Sequence, residues 1–185
     1  LDDVPLATAD EATRTLFDFN ATAHPVPDTT LVALIETTMA ATPDAIALEF
    51  EGASLRYREL DNRSRALAQA LLARGAGADM VVAVALPRSL ELVIALVATL
   101  RAGAAYLPMD LAHPLGRRAK ILRSAQPVAL LARPDDGIEW PDDAPRFAPQ
   151  DWPAQADGTA LPRVAPRTRP MSSTPPVRPV SRRAW

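Results

Sequence analysis

From residue 45 to residue 132 the apolar positions switch repeatedly between two rhythms. AIALEF (45–50) is rich in β-formers, and the Glu51-Gly52 turn leads into residues 54–57, a pattern that predicts a hairpin. Residues 58–74 carry Leu60, Leu67 and Leu71 on one helical face. Gly75 and Gly77 end that helix, because glycine enters the left-handed conformation past a helix terminus at little cost. MVVAVAL (80–86) is continuously apolar, as a strand buried on both faces should be. Ser89 is placed to cap the helix LELVIALVATLR, which Gly103 stops. That helix is apolar almost all round, so it belongs inside a larger structure. AAYLP predicts a short strand, RRAKILRSA a helix and PVALLA (127–132) a last strand.

Alternation of this kind argues for an α/β fold with a mostly parallel sheet and flanking helices. Four core strands and three helices leave few elements to cover both sheet faces, so the folded part reads as an incomplete subdomain.

Composition adds a boundary. Eleven of the 19 prolines fall at or after Pro134, and the last acidic residue is Asp157. GTALPRVAPRTRPMSSTPPVRPVSRRAW then carries six arginines and no apolar period, so it lacks the burial needed to offset the ordering of its backbone. The folded part is expected to close near residue 133, with a Pro/Arg-rich linker and disordered tail over 134–185. The chain starts with Leu1 rather than methionine, as an internal piece of a longer protein would.

Charge and residue type exclude several classes of function. A formal net charge of −2 gives no basis for nucleic acid or an anionic membrane as partner. No apolar run reaches the ~18 residues of a membrane span, and the acidic start has the wrong character for a secretory signal, so a cytoplasmic location is expected. The absence of cysteine rules out thiolate chemistry. With His24 and His113 the only histidines, both in loops before proline, no metal site is expected. The seven glycines form no nucleotide-binding loop, and Gly75-Ala-Gly77 follows a helix, the reverse of a dinucleotide fingerprint. Asp135-Asp136 and Asp142-Asp143 sit among prolines and read as solvated linker charge. No catalytic, cofactor-binding or metal-ligating residue is assigned on chemistry alone.

Two stretches carry a more specific signal. SLRYRELDNRSRALAQALLARG resembles the opening core motif of nonribosomal peptide synthetase adenylation domains, through Leu55, Tyr57, Glu59, Leu60, Asn62 and Arg63. LRAGAAYLPMD resembles the second, through Leu100, Ala102, Gly103, Ala105, Tyr106, Pro108 and Asp110. Residues 41–52 resemble the opening of that fold, and HPLGRRAKIL matches a following helix through Pro114 and Arg117. TRTLFDFNATAHPVP is similar to the linker that leaves a condensation domain, which makes residues 1–25 linker and 26–133 the adenylation part.

The sequence departs from that family at three places. Arg56 stands where Thr or Ser is usual and cannot accept the backbone hydrogen bond of a capping box, which should cost roughly 0.5–2 kcal/mol. Arg101 replaces lysine with charge kept, and Gly116 replaces an acidic residue and weakens a helix start.

The resemblance implies a parent enzyme that uses ATP and Mg²⁺ to make an aminoacyl adenylate. That enzyme then loads a carrier-domain phosphopantetheine thiol, downstream of a condensation domain. It also implies that both motifs present are structural, and that the phosphate loop, the amino-acid pocket and the catalytic lysine lie outside this stretch. The chain alone is therefore expected to be inactive, to need no cofactor, and to be marginally stable.

The tail admits a second reading. Shifting the codons of residues 169–185 by two nucleotides permits ADVIYTAGSTGLPKGV, which resembles the family's phosphate loop in its expected place. Two other identities stay open on sequence: an acyl-CoA ligase of the same superfamily, or a stand-alone interaction module with a disordered basic tail.

Overall fold

The computed structural model describes residues 7–25, 28–134 and 145–163. The acidic pairs of the linker and the tail beyond residue 163 lie outside these residues. The order is α1 (Ala9–Leu16), α2 (Leu31–Ala41), β1 (Ile46–Phe50), β2 (Ala53–Arg56), α3 (Tyr57–Leu72), β3 (Val81–Ala85), α4 (Leu90–Arg101), β4 (Ala105–Pro108), α5 (Leu115–Ala125) and β5 (Ala129–Ala132).

β1 and β2 form an antiparallel hairpin, with Glu51 (φ 47°) and Gly52 (φ 80°) making its turn. β3, β4 and β5 form a parallel sheet in the order β4-β3-β5. Strand alternation divides that sheet into two faces. Val82, Val84, Ala129 and Leu131 point into the larger core, which α3 and α4 cover. Ala83, Ala85, Leu130 and Ala132 point into a smaller core with Leu122 of α5 and Met109. Helices thus lie on both faces, the arrangement a continuously apolar parallel strand requires.

α3 and α4 end in the same way. Ala76 N–H donates to the Leu71 carbonyl (3.0 Å), with Gly75 at φ 88°; Ala104 N–H donates to the Thr99 carbonyl (3.1 Å), with Gly103 at φ 76°. Both are Schellman caps, whose left-handed residue glycine adopts at the least cost. Gly77 takes no part in the first cap; it lies beyond, in the turn before β3. Ser89 Oγ accepts from Leu92 N–H at 3.2 Å and caps α4 as the sequence indicates. α4 buries Ile94, Ala95, Val97, Ala98, Thr99 and Arg101 and leaves Leu90, Leu92, Leu96 and Leu100 half-buried.

At the start of α3 half a capping box is present. Arg56 N–H donates to Glu59 Oε2 at 2.8 Å. The Arg56 guanidinium has no acceptor to return and instead donates to the Asp44 carbonyl.

The structure extends the packed body beyond the boundary expected at residue 133. Leu130 N–H donates to the Pro145 carbonyl (2.7 Å) and Phe147 N–H to the Leu130 carbonyl (2.8 Å), so the chain pairs along the outer edge of β5. Phe147 is buried in the larger core, with Trp152 and Leu161 packed against it. Three anchors scattered over fifteen residues make no period, so the periodic apolar pattern ends at β5 although the packing continues. α2 also escaped the sequence reading: its capping residue Thr30 accepts from Ala33 N–H at 3.1 Å, but its apolar residues include exposed Leu31 and Leu34, which blurs the helical stripe.

Candidate functional site

The two family-like motifs occupy neighbouring helices and the strand that follows. In the first, Leu55 is buried at the end of β2, Leu60 is buried on α3, and Tyr57 and Glu59 are half-buried in the first turn. Asn62 and Arg63 are exposed on α3. In the second, Leu100 is half-buried, Ala102 is buried, Gly103 forms the cap, and Ala105, Tyr106 and Pro108 lie along exposed β4. Asp110 follows in the loop, where its Oδ1 accepts from Ala112 N–H at 2.9 Å.

What joins the motifs is a residue that the sequence marked only as a replacement for lysine. Arg101 is 1% exposed and sits between three helices. Its Nη2 donates to Asp61 Oδ1 (2.5 Å), and its Nη1 to the Asp61 carbonyl (2.9 Å) and Ser64 Oγ (2.8 Å), all on α3. Its Nε lies 3.3 Å from Glu36 Oε1 on α2. Ser64 Oγ in turn donates to the Leu60 carbonyl at 2.6 Å. Both Nη groups of this buried guanidinium thus meet acceptors, while Nε has the Glu36 carboxylate as an ion-pair neighbour without a hydrogen bond to it. Asp61, Ser64 and Glu36 carried no sequence signal, because their partner is far along the chain.

The carboxyl edge of the parallel sheet is where open α/β sheets bind ligands. Here it carries Glu91, 3.6 Å from Arg133, and Asp110, 3.7 Å from His113 Nε2. The N-terminus of α4 is closed by Ser89 and has Glu91 in its first turn. Among the described residues at this edge, Arg133 and His113 face carboxylates and the helix start is capped by its own Ser89, so they offer no open set of backbone N–H groups and positive charge to a nucleotide polyphosphate. Among the described residues no three His, Cys, Asp or Glu side chains form a cluster able to hold a metal ion. No described helix is long and apolar enough to cross a membrane.

The family model for the AMP-binding enzymes matches residues 35–175. The chain belongs to that family. Within it, this AMP-binding member is part of a nonribosomal peptide synthetase adenylation domain. It is 39% identical over 122 residues to the dimodular nonribosomal peptide synthase of Bacillus subtilis, a match covering 66% of the chain and 5% of that protein. It is 36% identical over 181 residues to chondramide synthase cmdD of Chondromyces crocatus, covering 95% of the chain and 4% of that protein. The structure matches the peptide synthetase FmoA3 bound to α-methyl-L-serine-AMP with TM-score 0.69 and 31% identity, over 75% of the chain and 16% of FmoA3. The N-terminal subdomain of Klebsiella oxytoca NpsA shares the fold, with TM-score 0.60 and 24% identity over 70% of the chain and 34% of that subdomain. The chain therefore spans a small fraction of its relatives.

Proposed function

We propose that the whole protein activates an amino acid with ATP and Mg²⁺ to an aminoacyl adenylate, releasing pyrophosphate. It then transfers the acyl group to the phosphopantetheine thiol of a carrier domain, in the cytoplasm and next to a condensation domain for which residues 1–25 are linker. The observation that carries this reading is the family match over residues 35–175, with 31% identity to an adenylate-bound peptide synthetase structure.

Within that enzyme the present stretch acts as scaffold. Leu55, Leu60 and Ala102 fill the core, Gly103 ends α4, and β4 from Ala105 to Pro108 gives the sheet an edge on which more strands can build. The groups that contact nucleotide and amino acid belong to other parts of the domain. Residues 169–185 are the phosphate-loop segment read two nucleotides out of frame, a reading supported by the motif their codons permit.

The test is amino-acid-dependent ATP–pyrophosphate exchange by the purified 185-residue chain. The scaffold reading expects none, and exchange above background overturns it.

A further inference from the structure

The outward face of α3 is polar and solvent-facing by pattern, yet two of its side chains, together with Arg74 two residues past its end, bind one distant segment. Arg74 places its guanidinium carbon 3.7 Å from the centroid of the Phe147 ring, and Phe147 is itself buried. Asn62 Oδ1 accepts from Ala156 N–H at 3.3 Å. Gln69 makes the most specific contact. Its Oε1 accepts from Asp157 N–H (3.1 Å) while its Nε2 donates to the Thr159 carbonyl (2.7 Å).

One side-chain amide thus pairs with both ends of the Asp157-Gly158-Thr159 turn, as the N–H and C=O of a single residue in an antiparallel strand would. The turn is preset for this. Gly158 sits at φ 85°, and Thr159 N–H donates to Asp157 Oδ1 at 2.8 Å. Only an amide side chain offers a donor and an acceptor side by side to match a backbone N–H and C=O.

The path of the segment gives these contacts a purpose. It leaves the outer edge of β5 at Phe147, and reaches Asn62 near the start of α3 and Gln69 farther along. It ends with Pro162 and Arg163 at a groove walled by residues 77–79 and 102–105, just before β3 and β4 begin. Parallel strands must all start from the same edge, so each connection has to carry the chain back there. Here the return carries only the short 3-10 helix Pro149–Asp151 and no α-helix, and α3 supplies the missing support.

We propose that α3 is a docking track for residues 147–163, with Gln69 as the positioning residue that sets their register, so that the strap works as a crossover returning the chain to the starting edge of the sheet. This goes beyond amino-acid activation and does not depend on it.

Amide hydrogen exchange on the 185-residue chain tests the proposal. Gln69→Ala should speed exchange of residues 155–160 by roughly tenfold while β3 and α4 keep their protection. Gln69→Glu keeps the acceptor and loses the donor, and should loosen the same residues. Gly158→Ala strains the turn from the strap side without touching α3, and should give the same local pattern. Unchanged strap protection in Gln69→Ala, or equal loosening of the strap and β3, would overturn the proposal.

Discussion

Arg101 Nη2 lies 2.5 Å from Asp61 Oδ1, although the two residues are 40 positions apart and stand on different helices. Through this contact the second motif grips the first, and Glu36 adds α2 to the same guanidinium. Arg101→Met should destabilise the chain by about 2 kcal/mol, since it removes the donor shared by Ser64 Oγ and the Asp61 carbonyl, while the Asp61 carboxylate keeps Arg65 Nη2 at 3.3 Å and partial access to solvent. Arg101→Lys keeps the charge but cannot serve several acceptors at once, and should cost about half as much. Urea denaturation of the two variants measures the difference.

Two glycines should respond to alanine with opposite sign. Gly103 has φ 76° in the cap of α4, so Gly103→Ala forces a left-handed alanine and should cost about 1–2 kcal/mol. Gly116 lies in α5, exposed, with nothing within 4 Å of where a Cβ would stand. Gly116→Ala should stabilise by about 0.5–1 kcal/mol, because alanine loses less backbone freedom in a helix. Thermal melting of both variants gives the two signs.

The half-built box at α3 is separately testable. Glu59→Ala removes the acceptor for Arg56 N–H and should cost about 1 kcal/mol. Arg56→Thr supplies the missing acceptor for the N-terminal turn and should recover a similar amount, less the contact it loses to the Asp44 carbonyl. Equal stability of Arg56→Thr and the parent chain would mean that the two contacts cancel.

What the sequence made legible was local. The β3 and β5 strands declared themselves by unbroken apolar runs, and the ends of α3 and α4 by Gly75 and Gly103, because each signal resides within a few consecutive residues. The contacts of Arg101 with Asp61 and of Gln69 with Asp157 join positions 40 and 88 apart, and no periodicity encodes a partner at that range. The strap escaped for a related reason: its order comes from α3, while its own composition is that of a linker. The family motifs were visible as patterns, but their physical connection was not.

The strap turn should also respond to acid. The hydrogen bond from Thr159 N–H holds the Asp157 carboxyl below its ordinary value of 3.8. A lowered pKa means that the contribution is present above pH 3.8 and is lost as pH falls through the lower, folded value. The Thr159 amide resonance should therefore titrate with a midpoint below 3.8, and a midpoint at or above that value would show that the contact does not favour the charged form.

Sequencing the coding DNA decides the reading of residues 169–185. The expected result is a frame displaced by two nucleotides that encodes a Ser/Thr/Gly-rich loop ending in Pro-Lys-Gly. If neither shifted frame encodes one, the frame proposal fails while the family assignment stands.

The scaffold role is tested most directly by transplantation. Residues 35–133 would replace the matching stretch of an active nonribosomal peptide synthetase adenylation domain, with ATP–pyrophosphate exchange measured across the amino acids. The account predicts exchange with the host domain's own amino-acid preference, because this stretch builds the sheet and leaves selection to other residues. A folded chimera that shows no exchange, or whose preference shifts to another amino acid, would contradict it.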